Sequence, residues 1–226
     1  MTLRSFTRIG LALTAALALV SCGTANQDTS AFMRQIPKSL FAKKTQPKPL
    51  TTQQIAQALG ATTGSVFLFE IEARKSQTLL QDIQRNGPYQ TYGNASRQVV
   101  VLRDGMVIST RGLAGDLMSS EEDQLLHRVQ ARSEGRASYD LRFLTPEDVT
   151  IVRRYSCYTT TGATVPVAGG LVQTSGQVVT AKCTAADGVS PDFTNTYVVG
   201  GDGYILSGRQ WAGPYLGYLV SQVLRR

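Results

Sequence analysis

Four kinds of residue in this 226-residue chain could carry chemistry: a cysteine at the end of an apolar run, two further cysteines, one strand-borne pair of carboxylates, and a single histidine. The first is the most specific. Leu19-Val20-Ser21-Cys22 matches a bacterial lipobox, in which the cysteine thiol is alkylated by lipid and becomes the first residue of the mature chain. Cys157 and Cys183 are the second, an even pair once Cys22 is consumed, and in an oxidising compartment they are expected to form one disulfide. Its loop of about 27 residues corresponds to roughly 3.5 kcal/mol in the chain-entropy model. Glu70 and Glu72 stand two apart on a predicted strand, so they share a face, as a solvated surface or as an acid/base pair. His127, the only histidine, has no HExxH, Cys/His or GxSxG context. Neither a metal site nor a cofactor site is expected, and no residue is assigned as catalytic.

These residues need elements to position them. Residues 1–21 have the anatomy of a secretory leader: Arg4 and Arg8, then the apolar run Ile9 to Val20, then Ser21 before the cysteine. A twelve-residue helix measures about 18 Å, too short for a hydrocarbon core of about 30 Å. Residues 22–50 read as a membrane-proximal tether rich in Gln, Thr, Ser, Lys and Pro, with Ile36, Leu40 and Phe41 able to form one amphipathic turn. Gly23 after Cys22, in place of the Asp that retains lipoproteins at the inner membrane, points to the outer membrane and its periplasmic face. The formal charge is +7, and losing Arg4 and Arg8 with the leader leaves +5, which suits anionic surfaces. Nucleic acid is not an expected partner of an envelope protein.

Residues 51–226 read as one mainly β domain: an antiparallel curved sheet, or an incomplete barrel or sandwich, with a few short helices. Thr51 caps a helix over Gln53 to Leu59. Val66 to Ala73 alternates, with Phe67, Phe69, Ile71 and Ala73 on one face. Asn86-Gly87 and Asp104-Gly105 signal hairpins, Pro88 lengthening the first turn. The spacing of Leu125, Leu126 and Val129 predicts a helix over 119–132. From Ala137 onward short strands follow, at 138–144, 149–159, 164–167, 171–172, 178–184, 194–199 and 204–209, then an apolar closing segment over 215–224.

Two blocks carry a family resemblance. Val101-Leu-Arg-Asp-Gly-Met-Val-Ile-Ser-Thr-Arg-Gly-Leu113 with Asp116-Leu117 is the first. Phe193-Thr-Asn-Thr-Tyr197, Asp202-Gly203 and Ser207-Gly-Arg-Gln-Trp-Ala-Gly-Pro214 make up the second. With the lipobox, they resemble the group 4 capsule polysaccharide lipoproteins, the YjbF/GfcB-like family. The resemblance implies a non-catalytic accessory role in exopolysaccharide or capsule production or export, beside export proteins and anionic polysaccharide. It brings no catalytic residues with it. Within the blocks, Arg111, Arg209 and Gln210 have donors for sugar hydroxyls or carboxylates, or for the protein's own backbone. Trp211 reads as a core anchor or as a sugar-stacking platform. A lipid or acyl-chain carrier is the competing function and requires a large apolar concavity, whereas a glycan-modifying enzyme requires two carboxylates in a cleft.

Overall fold

The computed structural model describes residues 48–226 apart from Pro146. The leader, Cys22 and most of the tether lie outside the described residues. Twelve strands form one sheet, every ladder antiparallel: β1 (Val66–Ile71), β2 (Ser76–Asn86), β3 (Tyr89–Gly93), β4 (Val99–Arg103), β5 (Met106–Arg111), β6 (Leu117–Glu121), β7 (Gly135–Leu144), β8 (Thr150–Gly169), β9 (Val172–Ala185), β10 (Phe193–Val199), β11 (Ile205–Trp211) and β12 (Tyr218–Arg225). Neighbours in the sheet are neighbours in sequence except where β12 pairs with β1. The sheet is thereby rolled into a nearly closed barrel whose one unladdered seam separates β5 from β6. The expected incomplete barrel is the form observed.

Local chemistry explains the main turns and caps. Helix α1 (Thr52–Ala61) begins at a capping box, in which Gln54 N donates to Thr51 Oγ1 and Thr51 N donates to Gln54 Oε1. Asp104 and Gly105 form a two-residue loop with φ of 49° and 87°, and both positive values fit a type I′ hairpin. A Cβ on Gly105 would stand 2.2 Å from the Ile205 carbonyl oxygen, so this turn also seats β4–β5 against β11. The first hairpin is not lengthened by Pro88, as expected, but keeps a two-residue loop set one residue later than its Asn-Gly suggests: Asn86 pairs with Tyr89, leaving Gly87 and Pro88 in the loop.

Four further expectations are corrected. The strand over Val66 to Ala73 stops at Ile71, and Glu72 opens a single 3-10 turn, so Glu70 and Glu72 do not share a strand face. The expected helix over 119–132 is shortened to α2 (Asp123–Gln130), because Leu117–Glu121 is drawn into β6 beside β7. The pieces at 149–159 and 164–167 are one strand, β8, with a bulge between Thr161 and Thr164. Those at 171–172 and 178–184 are likewise one strand, β9. Long cross-strand pairing overrides the Thr, Gly and Pro clusters that suggest breaks.

Inward residues make two apolar clusters. One joins Met106 and Ile108 with α2 and the inner faces of β7 to β10; the other joins Val107 with Phe67, Phe69, Leu80, Tyr92 and Leu219. Strand β5 is therefore buried on both faces. Outside the wall, α1 lays Leu59 against Val66 and Leu224. No helix among the described residues is long and apolar enough to cross a membrane.

Candidate functional site: the mouth of the barrel

An up-and-down barrel gathers alternate connections at each end. One end here collects the β1–β2, β3–β4, β5–β6, β7–β8, β9–β10 and β11–β12 connections. The last four frame a cavity of about 920 Å³ lined chiefly by apolar and aromatic side chains, among them Phe143, Ile151, Tyr155, Trp211 and Tyr215. Small-molecule sites occupy about 300–1,000 Å³, so the mouth is at the roomy end of that range.

Side chains, rather than strand hydrogen bonds, hold the seam beside this mouth. Arg111 Nη1 donates to the carbonyls of Thr110 (2.6 Å) and Leu117 (3.3 Å). Leu117 N donates to Thr110 Oγ1 at 3.0 Å, and Thr110 Oγ1 donates to Asp116 Oδ1 at 2.9 Å. Asp116 also accepts the amides of Gly112 and Leu113, which folds the β5–β6 loop into a fixed lip. Arg74 adds donations to the Leu113 and Ala114 carbonyls from the β1–β2 turn. On the lip, Gly115 has φ of 109°, and a Cβ there would lie 2.3 Å from that of Tyr215, so glycine permits the β11–β12 loop to close down on it.

Gln210 solves a second edge problem. Val107 N and O on β5 have no ladder partner from β6, and unpaired buried backbone groups are costly. The Gln210 amide supplies both: its Oε1 accepts Val107 N at 3.0 Å and its Nε2 donates to Val107 O at 2.6 Å. Nε2 donates again to the Tyr139 hydroxyl at 2.9 Å. Gln210 is 2 % exposed, so its donors and acceptor are committed to the protein, and of the two kinds of partner expected for it, sugar or backbone, it meets backbone, as a strand surrogate.

Arg209 lies on the outer side of β11. Its Nε and Nη2 make a forked pair with Glu72, at 2.9 and 2.6 Å, and its guanidinium stacks over the Tyr218 ring. The Arg209 hydrogen bonds hold the Glu72 carboxyl below its ordinary range. Trp211 reaches the mouth. Its ring stacks on Phe193 at 6.0 Å, meets Tyr218 edge-on at 5.3 Å, and lines the cavity. Arg111 and Trp211 are thus at the mouth, whereas Arg209 and Gln210 are spent on the wall and the seam.

The other candidates have plain assignments. Cys157 and Cys183 face each other across β8 and β9 and are bonded. Glu70 accepts from Gln77 Nε2 at 2.8 Å. Asp187 pairs with Arg153 at 3.0 Å; hydrogen bonds from Ser190 and Val189 keep its carboxyl far below the usual range. Among the described residues no group of three His, Cys, Asp or Glu is arranged to hold a metal ion. Nothing in the sequence singles out Phe143, Ile151, Tyr155 or Tyr215: the first three are ordinary apolar residues of strands β7 and β8, and only Tyr215 stands in a Gly- and Pro-marked connection.

A comparison with curated protein sequences finds no match. Among solved structures, the chain resembles the crystal structure of the hypothetical lipoprotein YmcC from Escherichia coli (K12), with a TM-score of 0.65 and 15 % identity. That likeness spans 85 % of this chain and 94 % of that one, and it establishes a shared fold. The family model described as "Group 4 capsule polysaccharide lipoprotein gfcB, YjbF" matches residues 29–224. The two blocks that build the hairpin, seam and mouth lie within that match, and the chain belongs to the group 4 capsule polysaccharide lipoprotein family.

Proposed function

We propose that this lipoprotein is held at the periplasmic face of the outer membrane by lipidated Cys22 and serves as a non-catalytic accessory factor in exopolysaccharide or capsule production or export. Its work is binding, and the binding site is the barrel mouth. The observation that carries this reading is the apolar, aromatic-lined cavity of about 920 Å³, to which the blocks that carry the family resemblance contribute Arg111, Asp116, Trp211 and Pro214. Two carboxylates beside the cavity serve architecture: Asp116 organises the lip and Asp187 its own loop. Deleting the protein should lower surface or secreted polysaccharide, and re-expression should restore it; normal polysaccharide in the deletion strain refutes the reading.

The lining also favours a second reading, a carrier of a lipid or acyl chain. Side chains such as Ile151, Leu144 and Phe143 suit a hydrocarbon better than a row of sugar hydroxyls. Mass spectrometry of material extracted from the purified protein separates the two readings: a stoichiometric lipid supports carriage, and a glycan supports direct polysaccharide contact.

A further inference from the structure

We infer that the mouth end of the barrel docks directly on a phospholipid bilayer, with its apolar rim entering the interfacial layer. This rests on the reading of Cys22 as a lipid anchor. The first observation is an exposed apolar rim. Leu144 (52 % exposed), Val149 (58 %), Val189 (87 %) and Tyr215 (78 %) come from three separate loops, and all three frame the mouth. Single exposed apolar residues are ordinary, but several converging on one end around an apolar cavity mark an interaction surface.

The second observation is where the chain enters the domain. Leu50 N donates to Gln77 Oε1 at 3.0 Å, and Gln77 in turn donates to Glu70. Both residues flank the β1–β2 turn, whose Arg74 holds the mouth lip. Helix α1 then leaves this end along the outer wall and delivers the chain to Val66 at the opposite end. The tether thus joins the barrel at its mouth. Twenty-five residues lie between Cys22 and Lys48, so the anchor and the point of entry are close in sequence, and a lipid on Cys22 draws on the domain from its mouth end.

The occupant is the bilayer surface because the rim is hydrocarbon without a shared charge sign. Arg153 is paired with Asp187, and Arg111 is spent on carbonyls, so the rim selects for apolar interface rather than for one headgroup charge. Tyr215, amphipathic and highly exposed, fits the headgroup boundary.

The mature chain from residue 22 carrying Cys22→Ser removes the anchor and leaves only the rim to bind. Trp211, the sole tryptophan, lines the mouth and reports its surroundings. Mixed with sucrose-loaded vesicles of phosphatidylcholine brominated on its acyl chains, the protein should sediment with the vesicles and lose Trp211 emission. Leu144→Ser, Val189→Ser and Tyr215→Ser together should weaken sedimentation at least tenfold. Ile83→Ser with Leu171→Ser, equally exposed positions away from the mouth, should leave it unchanged. Failure to sediment, equal sedimentation of the rim variant, or quenched protein left in the supernatant would overturn the proposal; the last would show chain extraction instead of docking. Palmitate labelling of the full-length precursor, with and without Cys22→Ala, tests the anchor separately.

Discussion

Replacing Gln210 by Met keeps the length and volume of the side chain and deletes only its amide. Three hydrogen bonds are lost, at 3.0, 2.6 and 2.9 Å, all of them buried. The Tyr139 hydroxyl loses the donation from Gln210 Nε2. Val107 N and O lose the side chain that pairs them, and β5 is buried on both faces with no ladder to β6. Each orphaned buried backbone group costs about 1–3 kcal/mol, so Gln210→Met should destabilise the domain by about 2–5 kcal/mol. For a domain of this size that is a fall in Tm of very roughly 5–15 °C. Urea denaturation of parent and variant at neutral pH, followed by Trp211 emission and far-ultraviolet circular dichroism, measures it. Tyr139→Phe should be much milder, and the double variant should cost little more than Gln210→Met alone. A loss below about 1 kcal/mol, with the two probes still coincident, would refute the role of Gln210 as the partner of the open strand edge.

Other outcomes follow from the same geometry. Reducing Cys157–Cys183, or replacing both cysteines by Ser, should cost about 3 kcal/mol, read as a lower urea midpoint, because the loop it closes spans a separation of 26 residues. Asp116→Ala should unlatch the lip, so hydrogen exchange at Gly112, Leu113 and Leu117 should rise while the amides of β8 and β9 stay protected. Glu72 is held below the usual carboxylate range, so its contribution is present at neutral pH and fades as pH falls through that range. Glu72→Gln should therefore destabilise the domain slightly at pH 7, by less than about 1 kcal/mol for so exposed a pair, read as a small fall in Tm, and match the parent in acid.

The parts of the fold legible in the sequence are those fixed by residues close together. Thr51 and Gln54 announce a helix start, Asp104-Gly105 announces its turn, and the alternation of Phe67, Phe69 and Ile71 announces a one-sided strand. What the sequence conceals depends on partners far along the chain. The continuous run of β8 past the end of β7 is stabilised by β9, which pairs with it on both sides of Gly162, so the Thr- and Gly-rich stretch that looks like a break remains extended. Ser119–Glu121 resembles a helix start by composition, yet it completes the wall beside β7. The role of Gln210 lies in its meeting with Val107, 103 residues earlier, and nothing local distinguishes a strand surrogate from a sugar ligand. The mouth cavity is framed by four connections, and two of them, β7–β8 and β9–β10, carry no residue of the resemblance blocks. Family resemblance located the right blocks, and the fold shows that most of their polar residues close the seam while Trp211 faces the cavity.

The central claim is that the barrel mouth does the work. The most direct measurement is the amount of surface and secreted polysaccharide made by cells whose only copy carries Ile151→Trp, a substitution that fills the cavity from a partly exposed lining position. With protein level, thermal stability and membrane fractionation matched to the parent, the account predicts polysaccharide reduced towards that of the deletion strain. Parental polysaccharide from a folded, membrane-bound protein with a filled mouth would contradict it.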